Sequence, residues 1–354
     1  MELSIILDYL IISTIASIAI NNILLEYANQ KKLLIDIPDK NRKFHSRATP
    51  VTGGIGILIA LLLSGKLYLD LNNLNGYVPN FTFHLILISV PLLILFLIDD
   101  HKGLKAIYRL VIQLLASLYI IYSTDIYLVN LGDIFGFGSI NLGNFAIPIT
   151  LFCVVGIMNA FNMIDGINGL CAGFGMLSLL FIGFYSGLIY DSMLILIIGS
   201  MVGFLIFNLR LFGKKRAVFL GDSGSNIIGF WVAWSAIYAS QIQNYNANSF
   251  TMIWFVAIPL LDCIGIIVSR IYRGVGIASP GRDHIQHKLM NKFSPEGSLG
   301  VILTISIIIG SVGIYLDKNF ATYTSTYAFI GFSIIYYLLF FFYNDQNMRN
   351  TDNV

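Results

Sequence analysis

Charge is scarce in this chain. Asp, Glu, Lys and Arg together make up 11% of its 354 residues, whereas 56% of the residues are hydrophobic. Cysteine is scarce as well: Cys153, Cys171 and Cys263 lie in or beside apolar stretches without paired spacing, which argues against a disulfide framework and against a zinc site. Internal repeats and low-complexity tails are also missing. The chain instead has a series of apolar stretches of about twenty residues, the length that crosses a bilayer as a helix.

These stretches predict an all-α, polytopic integral membrane protein with about eleven transmembrane helices. The first stretch is preceded by no Lys or Arg and followed by no small-residue cleavage site, so we expect a retained anchor rather than a signal peptide. One integral-membrane domain, residues 1–354, accounts for the whole chain. The predicted spans are 3–25, 53–71, 82–98, 106–123, 147–163, 167–187, 191–211, 224–240, 250–271, 298–316 and 322–343.

The basic residues are divided unequally between the two sides of the membrane. If eleven spans are threaded back and forth, only Lys66 and Lys318 of the 21 Lys and Arg residues fall on one side. Because loops rich in Lys and Arg stay in the cytoplasm, the other side is predicted to be cytoplasmic, with the N-terminus outside and the C-terminus inside. The connections predicted on the cytoplasmic face are 26–52, 99–109, 159–170, 212–224 and 272–297.

The apolar stretch from Leu92 to Ile98 ends in two adjacent acids, Asp99 and Asp100. An acid at the bilayer centre costs roughly 2.5–3.5 kcal/mol on insertion scales, so the pair fits best where the helix leaves the hydrocarbon. Adjacent carboxylates also repel, and we expect a metal ion, a basic side chain or a proton beside them. A solvated helix end is the simpler interpretation of such a pair taken alone.

Two other cytoplasmic connections carry acids and amides beside glycines. Asn159, Asn162 and Asp165 are three residues apart, which places them on roughly one face of a helix. Asp222 lies between glycines, just before a predicted helix N-terminus whose free N–H groups suit an anion. Caps and turns explain each motif individually. Their joint placement on one face favours a functional site.

Two histidines in a cytoplasmic connection and one acid inside a predicted span complete the set of candidates. His284 and His287 are three residues apart in a basic segment, where a solvated histidine is the simpler interpretation. Asp262 lies about 12 Å inside the end of its predicted span, at a rise of 1.5 Å per residue. An acid at that depth is a functional candidate, and a hydrogen bond to a neighbouring helix is the alternative.

The residue types in these connections suit phosphoryl transfer. Carboxylate and asparagine oxygens suit Mg²⁺ or Mn²⁺, hard ions that are usually held by a few oxygens and by substrate phosphates. Arg, Lys and His suit a diphosphate, whose charge must be neutralised during transfer. Glycines let the backbone approach a flat base or a phosphate. We therefore expect a metal-dependent phosphoryl-transfer enzyme at the cytoplasmic face, with one substrate in the membrane.

Four motifs, in this order, resemble those of a known family. They are Leu97-Ile98-Asp99-Asp100, Asn159-Ala160-Phe161-Asn162-Met163-Ile164-Asp165-Gly166, Phe219-Leu220-Gly221-Asp222-Ser223-Gly224 and Asp283-His284-Ile285-Gln286-His287. Together they resemble the polyprenyl-phosphate N-acetylhexosamine-1-phosphate transferases of glycosyltransferase family 4. Within that family the chain is similar to the bacterial enzymes that transfer GlcNAc-1-phosphate to undecaprenyl phosphate, from about Asp36 to Leu289.

The resemblance implies one reaction, in which the phosphate of undecaprenyl phosphate attacks the β-phosphorus of a UDP-N-acetylhexosamine and UMP leaves. It implies a multi-pass protein of the bacterial inner membrane whose cytoplasmic active site initiates O-antigen, common-antigen or teichoic-acid type glycans. Mg²⁺ is the implied cofactor, with Mn²⁺ as the alternative. GlcNAc is the implied sugar, with GalNAc, QuiNAc and FucNAc as alternatives. A homo-oligomer is left open, and no nucleic-acid partner is expected.

The resemblance also implies roles for the candidate residues. Asp222 and Asn162 would bind the metal, and Asp222 is also counted as catalytic. Asp99 and Asp100 would orient the lipid phosphate or assist the metal. The other candidates would hold the diphosphate, the sugar or the nucleotide: His284 as a catalytic residue, and Lys43, His45, Arg47, Asp165, Asn168, Arg282 and His287 as substrate contacts.

The chain departs from the family pattern near the nucleotide and sugar motifs. Asn168 stands where many bacterial relatives have Asp, and because an amide can hydrogen-bond uracil but carries no charge, we assign it to the nucleotide and not to the metal. Pro280-Gly281 and Gln286 replace Pro-Asp and part of a denser His cluster. A triple-His run, typical of the branch that transfers phospho-MurNAc-pentapeptide, is missing, which argues against peptidoglycan synthesis. A secondary transporter is the alternative from another class, but its polar sites should lie near the membrane midplane.

Overall fold

The computed structural model describes residues 3–38, 47–72, 79–245, 247–276, 281 and 283–351, with the backbone alone at 3, 190 and 342–351. These residues are almost entirely helical. One short antiparallel pair, β1 (Ile35–Asp36) with β2 (Thr49–Pro50), lies between the first two helices. The α-helices are α1 (Leu3–Lys31), α2 (Gly53–Leu71), α3 (Asn80–Lys102), α4 (Ala106–Thr124), α5 (Ala146–Ile164), α6 (Leu170–Ser186), α7 (Ser192–Asn208), α8 (Gly221–Gln241), α9 (Ala257–Tyr272), α10 (Ile285–Met290), α11 (Pro295–Asn319) and α12 (Thr322–Thr351).

The predicted all-α, polytopic membrane fold is confirmed, and a helix lies at each predicted span. Two helices, α6 and α7, are apolar but only 17 residues long. The number of eleven crossings and the orientation of the termini stay predictions. Within the ranges that the structure describes, eight segments are long and apolar enough to cross a membrane: Ser4–Lys31, Gly53–Leu71, Asn80–Lys102, Ala106–Thr124, Gly143–Ile164, Thr251–Tyr272, Pro295–Asn319 and Thr322–Phe341.

The peripheral helices direct large apolar side chains outward. Ile15 on α1, Leu115 on α4 and Leu338 on α12 are each at least 60% exposed. A water-soluble protein rarely presents continuous apolar surfaces of this kind, whereas hydrocarbon accommodates them without cost. The outer surface of the bundle is therefore suited to lipid.

Helix α8 lies inside the bundle and packs against α2, α3, α5 and α6. Its residues Phe230, Trp231 and Trp234 are fully buried, and the Trp231 indole N–H donates to Ser89 Oγ at 2.9 Å. A helix that is enclosed on every side is held by its neighbours rather than by solvent. The polar residues in the first two turns of α8 therefore need hydrogen-bond partners on the surrounding helices, and they contribute to the site described below.

The segment before α2 meets the segment before α8. The Phe219 N–H donates to the Pro50 carbonyl at 2.8 Å, and the Gly53 N–H donates to the Phe219 carbonyl at 3.0 Å. This approach depends on glycine, because a Cβ on Gly54 would lie 2.7 Å from the Gly224 Cα. The first turns of α2 and α8 are therefore fixed against each other.

Asn208, the last residue of α7, connects two further loops at the same end of the bundle. Its Oδ1 accepts the Gly169 N–H, and its Nδ2 donates to the Val218 carbonyl at 2.9 Å. The side chain is buried, so these backbone groups satisfy it where water does not reach. The turn before α6 and the segment before α8 are thus held together by one amide.

Candidate active site

Asp100 caps the N-terminus of α8 from the last turns of α3. Its Oδ1 accepts the Asp222 N–H at 2.7 Å, and its Oδ2 accepts the Ser223 N–H at 3.2 Å. The first N–H groups of a helix have no partner within it and carry the positive end of its dipole, so a carboxylate is stabilised there. Gly221 allows this approach, because it has a φ of +80° and a Cβ there would lie 2.8 Å from Asp100 Oδ2. The anion at this helix terminus is therefore a side chain of the protein itself.

Arg109, in the first turn of α4, connects two acids. Its Nε lies 3.4 Å from Asp99 Oδ2, and its Nη1 lies 3.4 Å from Asp222 Oδ2. Asp99 is 4% exposed, and its Oδ1 accepts the Leu104 N–H. The Asp222 side chain is 44% exposed and can therefore meet a ligand. Arg109 is the basic side chain that the Asp-Asp pair required, although the sequence did not distinguish it from other loop cations.

Asn162 and Asp222, the two residues predicted to bind a metal, are in contact. The Asn162 amide lies beside the Asp222 carboxylate, and its Nδ2 donates to Ser225 Oγ at 3.0 Å. Asn162 belongs to the last turn of α5 and Asp222 to the first turn of α8. Asn159, one turn earlier on α5, points elsewhere, because its Nδ2 donates to Gln113 Oε1 at 2.9 Å.

Asp165 directly follows α5 and lies close enough to the other acids to interact with them. Burial, followed by the negative charges of Asp222 and Asp100, raises the pKa of Asp165 from 3.8 to about 8. The carboxyl group therefore keeps its proton near neutral pH when no added cation offsets these charges. The end of the bundle at which α3, α5 and α8 meet thus concentrates acids that a divalent cation would stabilise.

Asp262 orients His284. The His284 Nδ1 lies 2.8 Å from Asp262 Oδ2, and Asp262 Oδ1 accepts the Ile285 N–H at 2.9 Å. Both side chains are buried, with 7% of His284 and 1% of Asp262 exposed. Because Nδ1 faces the carboxylate, Nε2 is the ring nitrogen directed away from it. Of the two interpretations that the sequence left open, the hydrogen bond is present, and its partner is a candidate catalytic residue.

The two-histidine segment packs against the turn that follows α5. A Cβ on Gly166 would lie 2.8 Å from Gln286 Nε2 and 3.3 Å from His287 Nε2. Gln286 is fully buried and donates from Nε2 to the Met163 carbonyl at 3.3 Å. His287 is thereby placed beside the turn that carries Asp165.

The other predicted substrate contacts are more dispersed. Asn168 lies in the turn between α5 and α6, three residues beyond Asp165. Arg47 is exposed and lies two residues before β2. The remaining candidates lie outside the described residues, and these are Lys43, His45 and Arg282.

Asp222 and Asn162 offer oxygen ligands that suit a divalent cation. Among the residues that the structure describes, no three Asp, Glu, His or Cys side chains form a ready-made metal-binding group. One carboxylate and one amide oxygen, completed by phosphate oxygens and water, make a ligand set typical of Mg²⁺ at phosphoryl-transfer sites. The exposed carboxylate of Asp222 therefore fits a cation that is bound together with a phosphorylated ligand.

Comparison with known proteins supports the resemblance seen in the motifs. The family model "Glycosyl transferase family 4" matches residues 55–240. Three similar relatives carry the name undecaprenyl-phosphate alpha-N-acetylglucosaminyl 1-phosphate transferase. The protein from Yersinia pestis is 30% identical over 318 residues, which cover 87% of this chain and 83% of the relative. The protein from Escherichia coli (strain K12) is 30% identical over 293 residues, 81% and 77% of the two chains. The protein from Haemophilus influenzae is 31% identical over 316 residues, 86% and 85%.

The matched region contains most of the polar cluster. Residues 55–240 include Asp99, Asp100, Asn162, Asp165 and Asp222, whereas the His284 segment follows the matched region. The family match covers more than half of the chain, and the relatives align over most of it. This protein belongs to glycosyl transferase family 4.

Proposed function

We propose that this protein transfers GlcNAc-1-phosphate from UDP-GlcNAc to undecaprenyl phosphate. A phosphate oxygen of the lipid attacks the β-phosphorus of the nucleotide sugar, the bond from that phosphorus to the bridging oxygen breaks, and UMP leaves with the electron pair. The carrying observation is the contact of a half-exposed Asp222 with Asn162 and Arg109, at the point where α4, α5 and α8 meet. The names of the relatives support the choice of lipid and sugar.

The acceptor needs no strong base to become a nucleophile. A phosphate monoester has a second pKa of about 6, so undecaprenyl phosphate is already largely dianionic near neutral pH. Positioning and neutralisation of charge therefore account for most of the rate in this proposal. Asp222 and Asn162 would hold Mg²⁺, or Mn²⁺, which supplies positive charge to the diphosphate.

The side chains around Asp222 have different roles in this proposal. Arg109 neutralises Asp99 and holds Asp222 in place, and Asp99 with Asp100 orients the lipid phosphate or assists the metal. Because both oxygens of Asp100 already accept backbone N–H groups, its main effect in this proposal is to fix the first turn of α8. His284, held by Asp262, binds the diphosphate or the sugar through Nε2.

The other candidates serve the nucleotide and the diphosphate. Asp165 and Asn168 contact the nucleotide from the turn after α5, and His287 lies beside that turn. Lys43, His45 and Arg47 bind the nucleotide, and Arg282 with His287 holds the diphosphate or the sugar.

The proposed location is the bacterial inner membrane, with the site open to the cytoplasm. The unequal distribution of Lys and Arg supports this orientation, since the connections that carry the site are also the basic ones. The product would initiate a glycan of the O-antigen, common-antigen or teichoic-acid type. UDP-GalNAc, UDP-QuiNAc or UDP-FucNAc is the alternative donor. A secondary transporter is less well supported, because the acids of this cluster lie at helix ends rather than at broken helices near the midplane.

One assay tests the proposal. Membranes that contain the protein are supplied with undecaprenyl phosphate, Mg²⁺ and UDP-GlcNAc labelled in the sugar, and both lipid-linked label and UMP are measured. We expect both products in equal amounts and the loss of both in excess EDTA. Unlabelled UDP-GlcNAc should compete better than the other UDP-sugars. Absence of both products with every UDP-N-acetylhexosamine would refute the transferase proposal.

A further inference from the structure

A series of hydrogen-bonded amide side chains on three helices ends at Asp222. Asn159 Nδ2 on α5 donates to Gln113 Oε1 on α4 at 2.9 Å. Gln113 Nε2 then donates to Asn226 Oδ1 on α8 at 2.8 Å, and Asn226 Nδ2 donates to the Asp222 carbonyl at 2.8 Å. Gln113 is 2% exposed and Asn226 is 1% exposed, so no solvent replaces these hydrogen bonds.

The order of donors and acceptors in this series is fixed by its last member. A backbone carbonyl only accepts, so Asn226 must present its NH₂ group to Asp222 and its oxygen to Gln113. Gln113 must in turn present its NH₂ group to Asn226 and its oxygen to Asn159. Reversing any one amide would place two oxygens or two NH₂ groups against each other. Gln113 therefore has one orientation that satisfies both neighbours.

A second, shorter series ends on the same carbonyl. Asn162 Nδ2 lies 3.0 Å from Ser225 Oγ, which donates to the Asp222 carbonyl at 3.2 Å. Asp222 is thus held at three points: at its N–H by Asp100, at its carbonyl by the two series, and at its carboxylate by Arg109. The amide series is the part of this arrangement that reaches furthest from the Asp222 carboxylate.

We propose that Gln113 is a positioning residue for Asp222, acting through Asn226 to fix the first turn of α8 in the geometry that the reaction requires. This inference rests on the proposed function, because it assigns Asp222 to the metal and diphosphate. Gln113 itself touches neither substrate. Catalytic groups must be held to within a fraction of an ångström, and buried hydrogen bonds from the supporting side chains provide that precision.

The test compares Gln113→Leu, which removes both hydrogen bonds, with Gln113→Met, which also removes them but keeps an uncharged side chain of nearly the same length. Gln241→Leu is the matched control. Gln241 lies at the opposite end of α8, where its Oε1 accepts the Val129 N–H at 2.9 Å and its Nε2 donates to Ser249 Oγ at 2.8 Å. Each purified full-length protein is assayed for kcat, for the KM of both substrates, for its thermal midpoint and for Mn²⁺ binding by electron paramagnetic resonance.

Both Gln113 variants should lower kcat about ten- to hundredfold and weaken Mn²⁺ binding about tenfold, because a buried partner is lost next to Asp222. The KM for UDP-GlcNAc should change less than kcat, since Gln113 does not contact the nucleotide sugar. Gln241→Leu should lower the thermal midpoint yet leave kcat and Mn²⁺ binding close to the wild type. Adding Asn159→Ala to Gln113→Leu should cost little more, because the series is already broken.

Two results would overturn the inference. One is wild-type kcat and Mn²⁺ binding in Gln113→Met, which keeps the length of the side chain without its hydrogen bonds. The other is an equal loss of kcat and Mn²⁺ binding in Gln241→Leu, which would reduce the role of Gln113 to general stability. Failure of the proposed function is seen separately, as wild-type protein that binds Mn²⁺ but releases no UMP from any UDP-N-acetylhexosamine.

Discussion

The His284 Nδ1 lies 2.8 Å from Asp262 Oδ2, so an acid inside α9 sets the orientation of a histidine in the segment before α10. The same carboxylate accepts the Ile285 N–H through Oδ1, and Tyr336 on α12 places its hydroxyl 3.4 Å from that oxygen. A histidine that is fixed through one ring nitrogen presents the other in a constant direction. Asp262 therefore connects the membrane-embedded bundle to the candidate sugar-binding segment.

The substitution Asp262→Asn should impair turnover more than it impairs insertion of the protein into the membrane. The asparagine amide would keep one acceptor oxygen for two donors, the His284 ring and the Ile285 N–H. Loss of one buried hydrogen bond to a charged group is worth about 1.5–3 kcal/mol, so kcat should fall about ten- to hundredfold. Steady-state kinetics in detergent would measure the change. Tyr336→Phe is the control, since it removes only the 3.4 Å contact and should retain most activity; equal effects of the two variants would contradict the assignment.

Arg109 should not be replaceable by lysine. The guanidinium group lies 3.4 Å from both Asp99 and Asp222, whereas a lysine has one charged nitrogen and cannot face both acids in the same way. We expect Arg109→Lys to lower kcat about tenfold, which corresponds to about 1.4 kcal/mol. Radiometric transfer assays would measure it.

Arg109→Met tests the ion pair of Arg109 with Asp99 through its effect on stability. It should lower the thermal midpoint, because the buried Asp99 carboxylate loses its ionic partner. Adding Asp99→Asn should restore the midpoint without restoring transfer. An active double variant would show that Arg109 serves Asp99 alone and has no role at Asp222.

Gly221→Ala should disturb the junction of α3 and α8. Gly221 has a φ of +80°, and a Cβ there would lie 2.8 Å from the Asp100 carboxylate. The left-handed conformation alone costs an alanine about 1–2 kcal/mol, and displacement of Asp100 adds to this. The thermal midpoint and the transfer rate should both decrease. Gly65→Ala within α2 is the control, because no atom lies within 4 Å of its Cβ position, and a fall in midpoint there as large as at Gly221 would argue against the contact.

The stability of the metal-free protein should fall as pH rises toward 8. Asp165 has a pKa of about 8 in the folded protein, chiefly through burial, against 3.8 for a free carboxyl group. The folded state therefore binds the proton more tightly than the unfolded state. Its contribution is complete below pH 3.8 and is lost as the pH rises through about 8.

Thermal midpoints in EDTA across that pH range would measure this contribution. The slope should be smaller for Asp165→Asn, which has no proton to lose. Identical slopes for wild type and Asp165→Asn would contradict the raised pKa.

Much of the fold was predictable because hydropathy and charge are properties of the chain itself. Each predicted span coincides with a helix, although α1 continues to Lys31, six residues beyond the predicted end. Residues 26–31 are mostly polar, so hydropathy ended the predicted span where the helix continues. The contact between Asp222 and Asn162 could also be anticipated, because both residues stand at helix ends predicted to lie on the same face.

The partners of the site residues were not predictable. Which of many loop cations meets Asp99 depends on the short connection that brings the first turn of α4 beside the end of α3. Gln113 has no local signal at all, since its two partners lie on α5 and α8 and become neighbours only when the helices pack. Asp262 had a signal, its depth within a span, but not the identity of the histidine that it meets.

The central claim, that Asp222 is the group on which transfer depends, is tested most directly by Asp222→Asn in the labelled UDP-GlcNAc assay. Asp70→Asn is the matched control, because Asp70 is an exposed acid that pairs with Lys66 at 3.2 Å near the far end of α2. Both variants should accumulate in membranes like the wild type. We predict that Asp222→Asn forms neither lipid-linked label nor UMP, while Asp70→Asn retains full activity. Near-normal transfer by Asp222→Asn would contradict the account.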